Sequence, residues 1–480
     1  MSQQRDYKNS FESRQRAALS ALVLLVALVL SCLGAAVAVS KALKGTEMNL
    51  AQAQIGSMIY VAAAYILFAV YMAVYQRDTF DGAKLMTMVC IQLALMPWMQ
   101  VLGNMLEPHV TPMVMAVLLI AELVNHKTAL AAGVLLGLES AVLAGGTEGI
   151  FTTAAAVMMA ANIASCAASV FALKRINTRG GMIAASGIGG AAGGAAVTAA
   201  IYIALGATVR EILTYAGCVL FSALFSGLFV TGSLTIWEEL FDIATPARLN
   251  ELLNTGNPLL KQLMYDAPGT YQHCMNVAAL AEGAAEKIGA NALLAKVGAA
   301  YHDVGKLRRP QYFKENQQAE NIHDTLSPQE SASIIIAHQK DGATILAKNK
   351  LPGAVVRIAA EHHGNSMMTY FYRKAAETDP NVNPKGFRYP GNKPSTREGA
   401  IVMLADCCEA AVRSLGDCTR EAREAMVHKI IWGKLTDGEN QLSEVPLTLA
   451  DISSIEKSFI RTFGGLMHDR IEYPEEAKKE

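Results

Sequence analysis

Charge is scarce in this chain of 480 residues: Asp, Glu, Lys and Arg make up 17% of it, against 52% hydrophobic residues. That balance excludes an ordinary soluble protein. The deficit is local. From about residue 17 to 233, charges occur almost only in short clusters between apolar runs, and after residue 237 acids, bases and histidines return at normal density. The net charge of −1 averages these unlike halves and offers no footprint for a nucleic-acid polymer as partner. No CxxC pair occurs among the eight cysteines, and their spacings fit no disulfide framework, so they read as reduced, buried thiols. The period-two alternation of half-buried strands is also missing, which leaves an all-α reading.

What is present in the first half is a series of long apolar runs. A hydrocarbon crossing needs about 20 apolar residues. Candidate spans lie at 17–39, 55–75, 84–106, 110–125, 128–146, 150–173, 181–206 and 211–234, the fourth being short. The first is long for a signal peptide and lacks a clear small-residue cleavage site. Arg5, Lys8, Arg14 and Arg16 precede it, and Lys174, Arg175 and Arg179 separate the sixth and seventh spans. An N-terminus inside and about eight crossings put both basic groups, and everything after residue 234, in the cytoplasm. The expected organisation is a cytoplasmic segment 1–16, a transmembrane bundle 17–234, an amphipathic connector 235–265 broken by Pro246 and Pro258, and a soluble domain 266–480.

Two features of the bundle stand out. "GIGGAAGGAA" (187–196) suits close helix packing better than a ligand-lined segment. Glu122 and Glu139 are acids at membrane depth, costly there unless they snorkel, pair or face water.

The soluble half reads as helices. Val277, Leu280, Ala281, Ala284 and Ile288 recur at helical spacing within 271–289, and a second helix, about 291–303, ends at Gly305. A third starts at the capping box "SPQE" (Ser327 to Glu330) and is expected to stop at Gly342. A fourth runs from Pro352 to "EHHG", and a fifth, 396–415, follows the proline-rich loop 378–396.

Five of the ten histidines fall on these helices: His273, His302, His338, His362 and His363. Asp303 adjoins one of them, and Asp406 interrupts the apolar "IVMLADCC". Singly, most have a bland reading as core or helix-terminal residues. An unpaired carboxylate amid apolar residues, however, normally has a cation beside it. Together the seven exceed one tetrahedral site, and their imidazole–carboxylate mixture suits Mn, Fe or Zn. Asp303 is the natural bridge between two ions.

His273…His302-Asp303…Asp406 resembles the H…HD…D signature of the HD phosphohydrolase superfamily. The blocks "APGTYQHC", "YHDVGKLRRPQYFKENQ", "HDTLSP", "EHHG", "FRYPGNKP" and "RIEYPE" are similar to those of its membrane-bound 7TM-HD family, over essentially residues 235–475. The resemblance implies a polytopic helical bundle in the inner membrane of a bacterium, joined to a cytoplasmic, all-helical HD metallohydrolase that cleaves cyclic di-AMP to linear pApA. It also implies two divalent transition-metal ions, Mn or Fe, and a hydroxide bridging them as the nucleophile. His273, His302, Asp303 and Asp406 would surround one ion; Asp303, His338, His362 and His363 would surround the other. Lys306 is then expected to hold a phosphate oxygen, with Arg373, Arg388, Tyr389 and Lys393 as candidate substrate contacts and Tyr370 and Tyr372 as stacking or packing residues. His323-Asp324 and His468-Asp469 lack the Gly-Lys context and read as decoys.

The chain departs from the family pattern in two places. The large extracytoplasmic domain usual after the first span is replaced by residues 41–57, whether naturally or by removal. "NSMMTYFY" follows the His-His-Gly in place of the Gly-Tyr-Pro segment of the cyclic di-GMP branch. An HD phosphodiesterase acting on cyclic di-GMP or another nucleotide, a non-catalytic nucleotide receptor and a transporter with a regulatory HD domain remain the alternatives. The expected partners are the cyclic dinucleotide and the lipid bilayer, and a homodimer is compatible with the sequence.

Overall fold

The computed structural model describes residues 2–44, 49–107, 109–144, 152–174, 180–317, 321–415, 419–436 and 439–466, with side chains from residue 15 onward. Arg5, Lys8 and Arg14 (as side chains), Arg175, Arg179, Cys418, His468-Asp469 and the "RIEYPE" block lie outside that description. The chain divides into two compact units, 1–247 and 248–480. Among the described residues there is no strand, only an isolated bridge between Met367 and Arg388.

Among the described residues of the first unit, seven helices are long and apolar enough to cross a membrane: Gln15–Ala42, Leu50–Tyr75, Ala83–Gly103, His126–Leu143, Thr153–Leu173, Gly181–Ala204 and Val209–Leu240. The last opens on a capping box of Thr208 and Glu211 and runs past the expected end at 234, since neither Gly nor Pro occurs between there and Leu240. The fourth expected span differs from the others. Only Met113–Leu123 is helical, and its 11 residues rise about 16 Å, half of a hydrocarbon core of about 30 Å.

Contacts at the helix ends show what that segment does. Asn125 bonds Thr79 at 3.2 Å, and the Lys84 ammonium donates to the Asp242 carbonyl, so residues 79–84, 125 and 242 share one face of the bundle. Asn104 donates to the Leu143 carbonyl, and His109 bonds the Tyr202 hydroxyl at 2.8 Å, which places these residues together at the opposite end. Residues 109–123 therefore pass from one face to the other, the eighth such pass among the described residues. The non-helical part is tolerated because it is enclosed by protein: the Thr111 N–H donates to Ser222 Oγ at 3.0 Å and its hydroxyl to Asn162 Oδ1 at 2.7 Å.

The small-residue run packs tightly. Residues Gly189–Ala195 form a π-helical turn, and a Cβ on Gly193 would come within 2.4 Å of the Ala164 carbonyl oxygen. Glu122 is half-buried, near the end of its helix.

Pro246 and Pro258 open the short helices Pro246–Leu252 and Pro258–Asp266; as first-turn residues they start helices rather than break one. The helices that matter for the site are Pro268–Lys287, Ala292–Tyr301, Pro328–Lys348, Gly353–Glu361 and Arg397–Arg413. The capping box at Ser327 and Glu330 forms as expected, but Gly342 does not end its helix, which continues to Lys348. The glycine serves a different purpose. Gly305 presses against this helix so closely that a Cβ there would lie 1.9 Å from the His338 carbonyl oxygen and 2.5 Å from Gly342 N. Gly364, at φ +57°, closes the helix that carries the His362-His363 pair.

Candidate metal centre

The Ala292–Tyr301 helix ends at His302, and the chain tightens at Asp303 into the 3-10 turn Val304–Arg308. The two side chains are thereby turned into the bundle instead of continuing along a helix face. His302 is fully buried and Asp303 is 1% exposed. The His302-Asp303 pair is thus a corner in the core.

Around Asp303 the other helices deliver their ligand-type atoms. One carboxylate oxygen, Oδ1, faces His338 Nε2 at 3.2 Å and His362 Nε2 at 3.7 Å; the other, Oδ2, faces His302 Nε2 at 3.3 Å and His273 Nε2 at 3.5 Å. Asp406 joins from the Arg397–Arg413 helix, its Oδ1 being 3.0 Å from His273 Nε2 and 3.8 Å from His302 Nε2. Its Oδ2 lies 3.6 Å from His363 Nδ1. Three groups emerge whose ligand atoms lie within 4.8 Å of one another: Asp303, His338, His362 and His363; His273, His302 and Asp406; and Cys274, His302 and Asp303. Asp303 stands between the first two. All seven residues singled out in the sequence come together.

The proton positions make the cluster electron-rich. The Nδ1 atoms of His302, His338 and His362 sit 2.7, 2.5 and 2.7 Å from the carbonyls of Ala299, Ile335 and Ala359, each three residues back on its own helix. A carbonyl only accepts, so each Nδ1 carries the proton and each neutral Nε2 turns a lone pair inward. Glu409 does the same for His273, with Oε2 at 2.5 Å from Nδ1. His302 Nε2 and Asp303 Oδ1 are buried without a hydrogen-bond partner. Such a set needs cations, and its chemistry fits divalent metal ions.

Without metal, protons fill part of that role. Burial alone would lower the His273 pKa, but Asp406 and Glu409 outweigh it and hold the imidazole up, at about 9. His302 is likewise held well above its ordinary value: burial opposes charge there, and Asp303, Cys274 and Asp406 together outweigh it. Burial and the neighbouring imidazoles keep His362 and His363 low. Asp303 and Asp406 stay well below the usual carboxylate range despite burial, chiefly through Lys306 and His302 for the first and His273 and His302 for the second.

Lys306 lies 2.7 Å from Asp303 Oδ2 and 2.7 Å from Glu315, and 5.0 Å from the centroid of the Phe313 ring. Tyr389 lies against His363, ring centroids 4.3 Å apart. The remaining candidates go elsewhere. Arg388 bonds Glu439 at 2.9 Å and the Asn365 carbonyl, and Lys393 donates to the carbonyls of Glu439 and Asn440. Arg373 and Tyr370 are exposed, and Tyr372 packs on Phe387. His323 donates from Nε2 to the Tyr312 carbonyl, away from the cluster.

A model of the HD domain matches residues 270–411, and one described as a 7TM receptor with intracellular HD hydrolase matches residues 51–245. The chain belongs to this membrane-bound 7TM-HD family. It is 48% identical over 255 residues to the cyclic-di-AMP phosphodiesterase PgpH of Bacillus subtilis, a match covering 53% of this chain and 36% of the relative. The PgpH of Listeria monocytogenes is 46% identical over 253 residues, covering 52% and 35% of the two chains. The chain thus matches only about a third of the length of these relatives. The crystal structure of the Listeria PgpH HD domain in complex with cyclic di-AMP is 47% identical and covers 45% of this chain and 100% of that one, with a TM-score of 0.43.

Sequence reasoning missed two residues of this 7TM-HD site, Glu409 and Glu315. Glu409 follows Asp406 by three residues, one helical turn, so it shares the buried face; that spacing was the available signal. Glu315 lies within the "YFKENQ" block but reaches Lys306 through short 3-10 turns, too brief to leave a periodicity to read.

Proposed function

We propose that this chain is a membrane-anchored, metal-dependent phosphodiesterase that hydrolyses cyclic di-AMP to linear pApA on the cytoplasmic side of a bacterial inner membrane. The observation that carries the reading is the convergence of four Nε2 lone pairs on the Asp303 and Asp406 carboxylates, each imidazole fixed by an acceptor on its far side. His273, His302, Asp303 and Asp406 would hold one divalent ion, and Asp303, His338, His362 and His363 a second. Mixed imidazole and carboxylate donors suit Mn or Fe. Such a pair, when bound, supplies Lewis-acid polarisation of a phosphate and a water acidic enough to attack at neutral pH.

The chain's own part is charge and position. Lys306 presents a half-buried ammonium beside the Asp303 carboxylate, suited to a non-bridging phosphate oxygen as negative charge grows there. Glu315 aims it, and the Thr270 hydroxyl, 3.1 Å away, holds Glu315. Tyr389, lying against His363, is placed to meet a base or ribose near the metal positions. One water opens one of the two phosphodiester bonds, leaving a 5′-phosphate and a free 3′-hydroxyl. The names of the Bacillus and Listeria relatives support the adenine dinucleotide as substrate. Lys84, at the bundle face shared with Asp242, agrees with a cytoplasmic exit under the rule that positive residues stay inside.

The test is pApA formation by the purified full chain in detergent, loaded with Mn or Fe. Cyclic di-GMP and a His302→Ala/Asp303→Ala variant run beside it. Turnover of cyclic di-AMP that the double variant abolishes is expected. Saturable binding without product would replace the enzyme by a receptor.

A further inference from the structure

We propose that the membrane bundle holds one alkali-metal cation at Glu139. This residue lies on the His126–Leu143 helix close to its end, where a long acid side chain could snorkel outward. It turns inward instead: it is 1% exposed, and both carboxylate oxygens are buried without a hydrogen-bond partner among the described residues. Beside it are hydroxyls from two other spans, Ser31 of the first helix and Tyr65 of the Leu50–Tyr75 helix, joined to each other at 2.8 Å.

A bare carboxylate in such surroundings is expensive. Protonation removes the charge and lets the Ser31 hydroxyl bond one oxygen, but it leaves the other oxygen buried without a partner. A cation settles both oxygens at once. The available donors are two carboxylate and two hydroxyl oxygens, a hard set. One carboxylate balances a monovalent ion, whereas a divalent ion would leave a net positive charge in a medium of low dielectric. The ion would tie three spans together and give the bundle a site that responds to the sodium or potassium level.

The measurement is equilibrium binding of ²²Na⁺ and, as a potassium surrogate, ⁸⁶Rb⁺ to the purified full chain in detergent. Saturable binding of one ion per chain is expected with either isotope. It should be lost in Glu139→Gln and weakened severalfold in Ser31→Ala, with gel-filtration profiles unchanged. If Glu139→Gln does not give a monodisperse protein, the shifts in dissociation constant for Ser31→Ala and Tyr65→Phe carry the test. Absence of saturable binding of both isotopes to the unmodified chain, or binding unaltered by these substitutions, overturns the proposal.

Discussion

His338 and His362 bring their Nε2 atoms within 3.3 Å of each other while each ring's Nδ1 faces a backbone carbonyl. Two neutral imidazoles so arranged point lone pairs at each other, and only a shared cation relieves the repulsion. Both belong to the same ligand group, so losing one should empty that position and spare the other. His362→Ala is expected to lower bound metal from two ions to one per chain, measured by elemental mass spectrometry after gel filtration. Phosphodiester hydrolysis should fall by about 100-fold or more, since the proposed chemistry uses both ions.

Glu409 touches no candidate metal position, yet it holds the His273 proton on Nδ1 and also accepts from Asn276. Replacing the carboxylate by an amide keeps the volume and removes the strong acceptor. Glu409→Gln should weaken metal affinity by about 10–100-fold, the usual cost of losing such a partner. A competition titration with a chromophoric chelator reads this directly. Unaltered affinity would mean that His273 is oriented by packing alone.

The two carboxylates of that helix show what the sequence could and could not reveal. Asp406 was legible because a lone acid in an apolar run demands a partner. The His-Asp corner was legible from its Gly-Lys context, and the helices from their caps and periodicity. Gly342 misled because a glycine marks a helix end only when the backbone is free to turn; here its missing side chain admits Gly305. Arg388 and Lys393 looked like phosphate ligands as charges in a polar loop, and nothing local announced that Glu439 and its neighbours would engage them. The partly non-helical pass at 109–123 was visible only as a short span, since its non-helical start is held by Ser222 and Asn162, distant in the chain.

Proton release follows from the His273 value of about 9. At pH 7 the metal-free site holds that proton, so metal uptake must displace it. Calorimetric titrations in buffers of different ionisation enthalpy should report at least one proton released, and apparent affinity should climb about tenfold per pH unit towards pH 9. The stability of the metal-free chain runs the opposite way. The folded value exceeds the ordinary 6.5, so the contribution is complete below about pH 6.5 and fades as pH rises through 9. Thermal unfolding of the chelator-treated chain should move to lower temperature between pH 7 and 9, while the metal-loaded chain does not follow.

The corner itself depends on one missing side chain. Gly305 has an ordinary backbone conformation, so an alanine there would meet no torsional barrier. It would meet matter: the new Cβ falls 1.9 Å from the His338 carbonyl oxygen and 2.5 Å from Gly342 N, both backbone atoms of a helix that also carries a proposed ligand. Relief requires the Gly-Lys turn and the His338 helix to separate. Overpacking of this kind costs about 1–3 kcal/mol, more where only backbone can move. Separation would also pull Asp303 away from His338, now 3.2 Å distant. Gly305→Ala is therefore expected to lower both the unfolding temperature and the affinity for the second metal ion. Gly386→Ala has open space around its Cβ and should change neither. If Gly305→Ala lowers stability but leaves the two-ion stoichiometry and affinity intact, the turn is a packing element and the His338 position is set by its own helix.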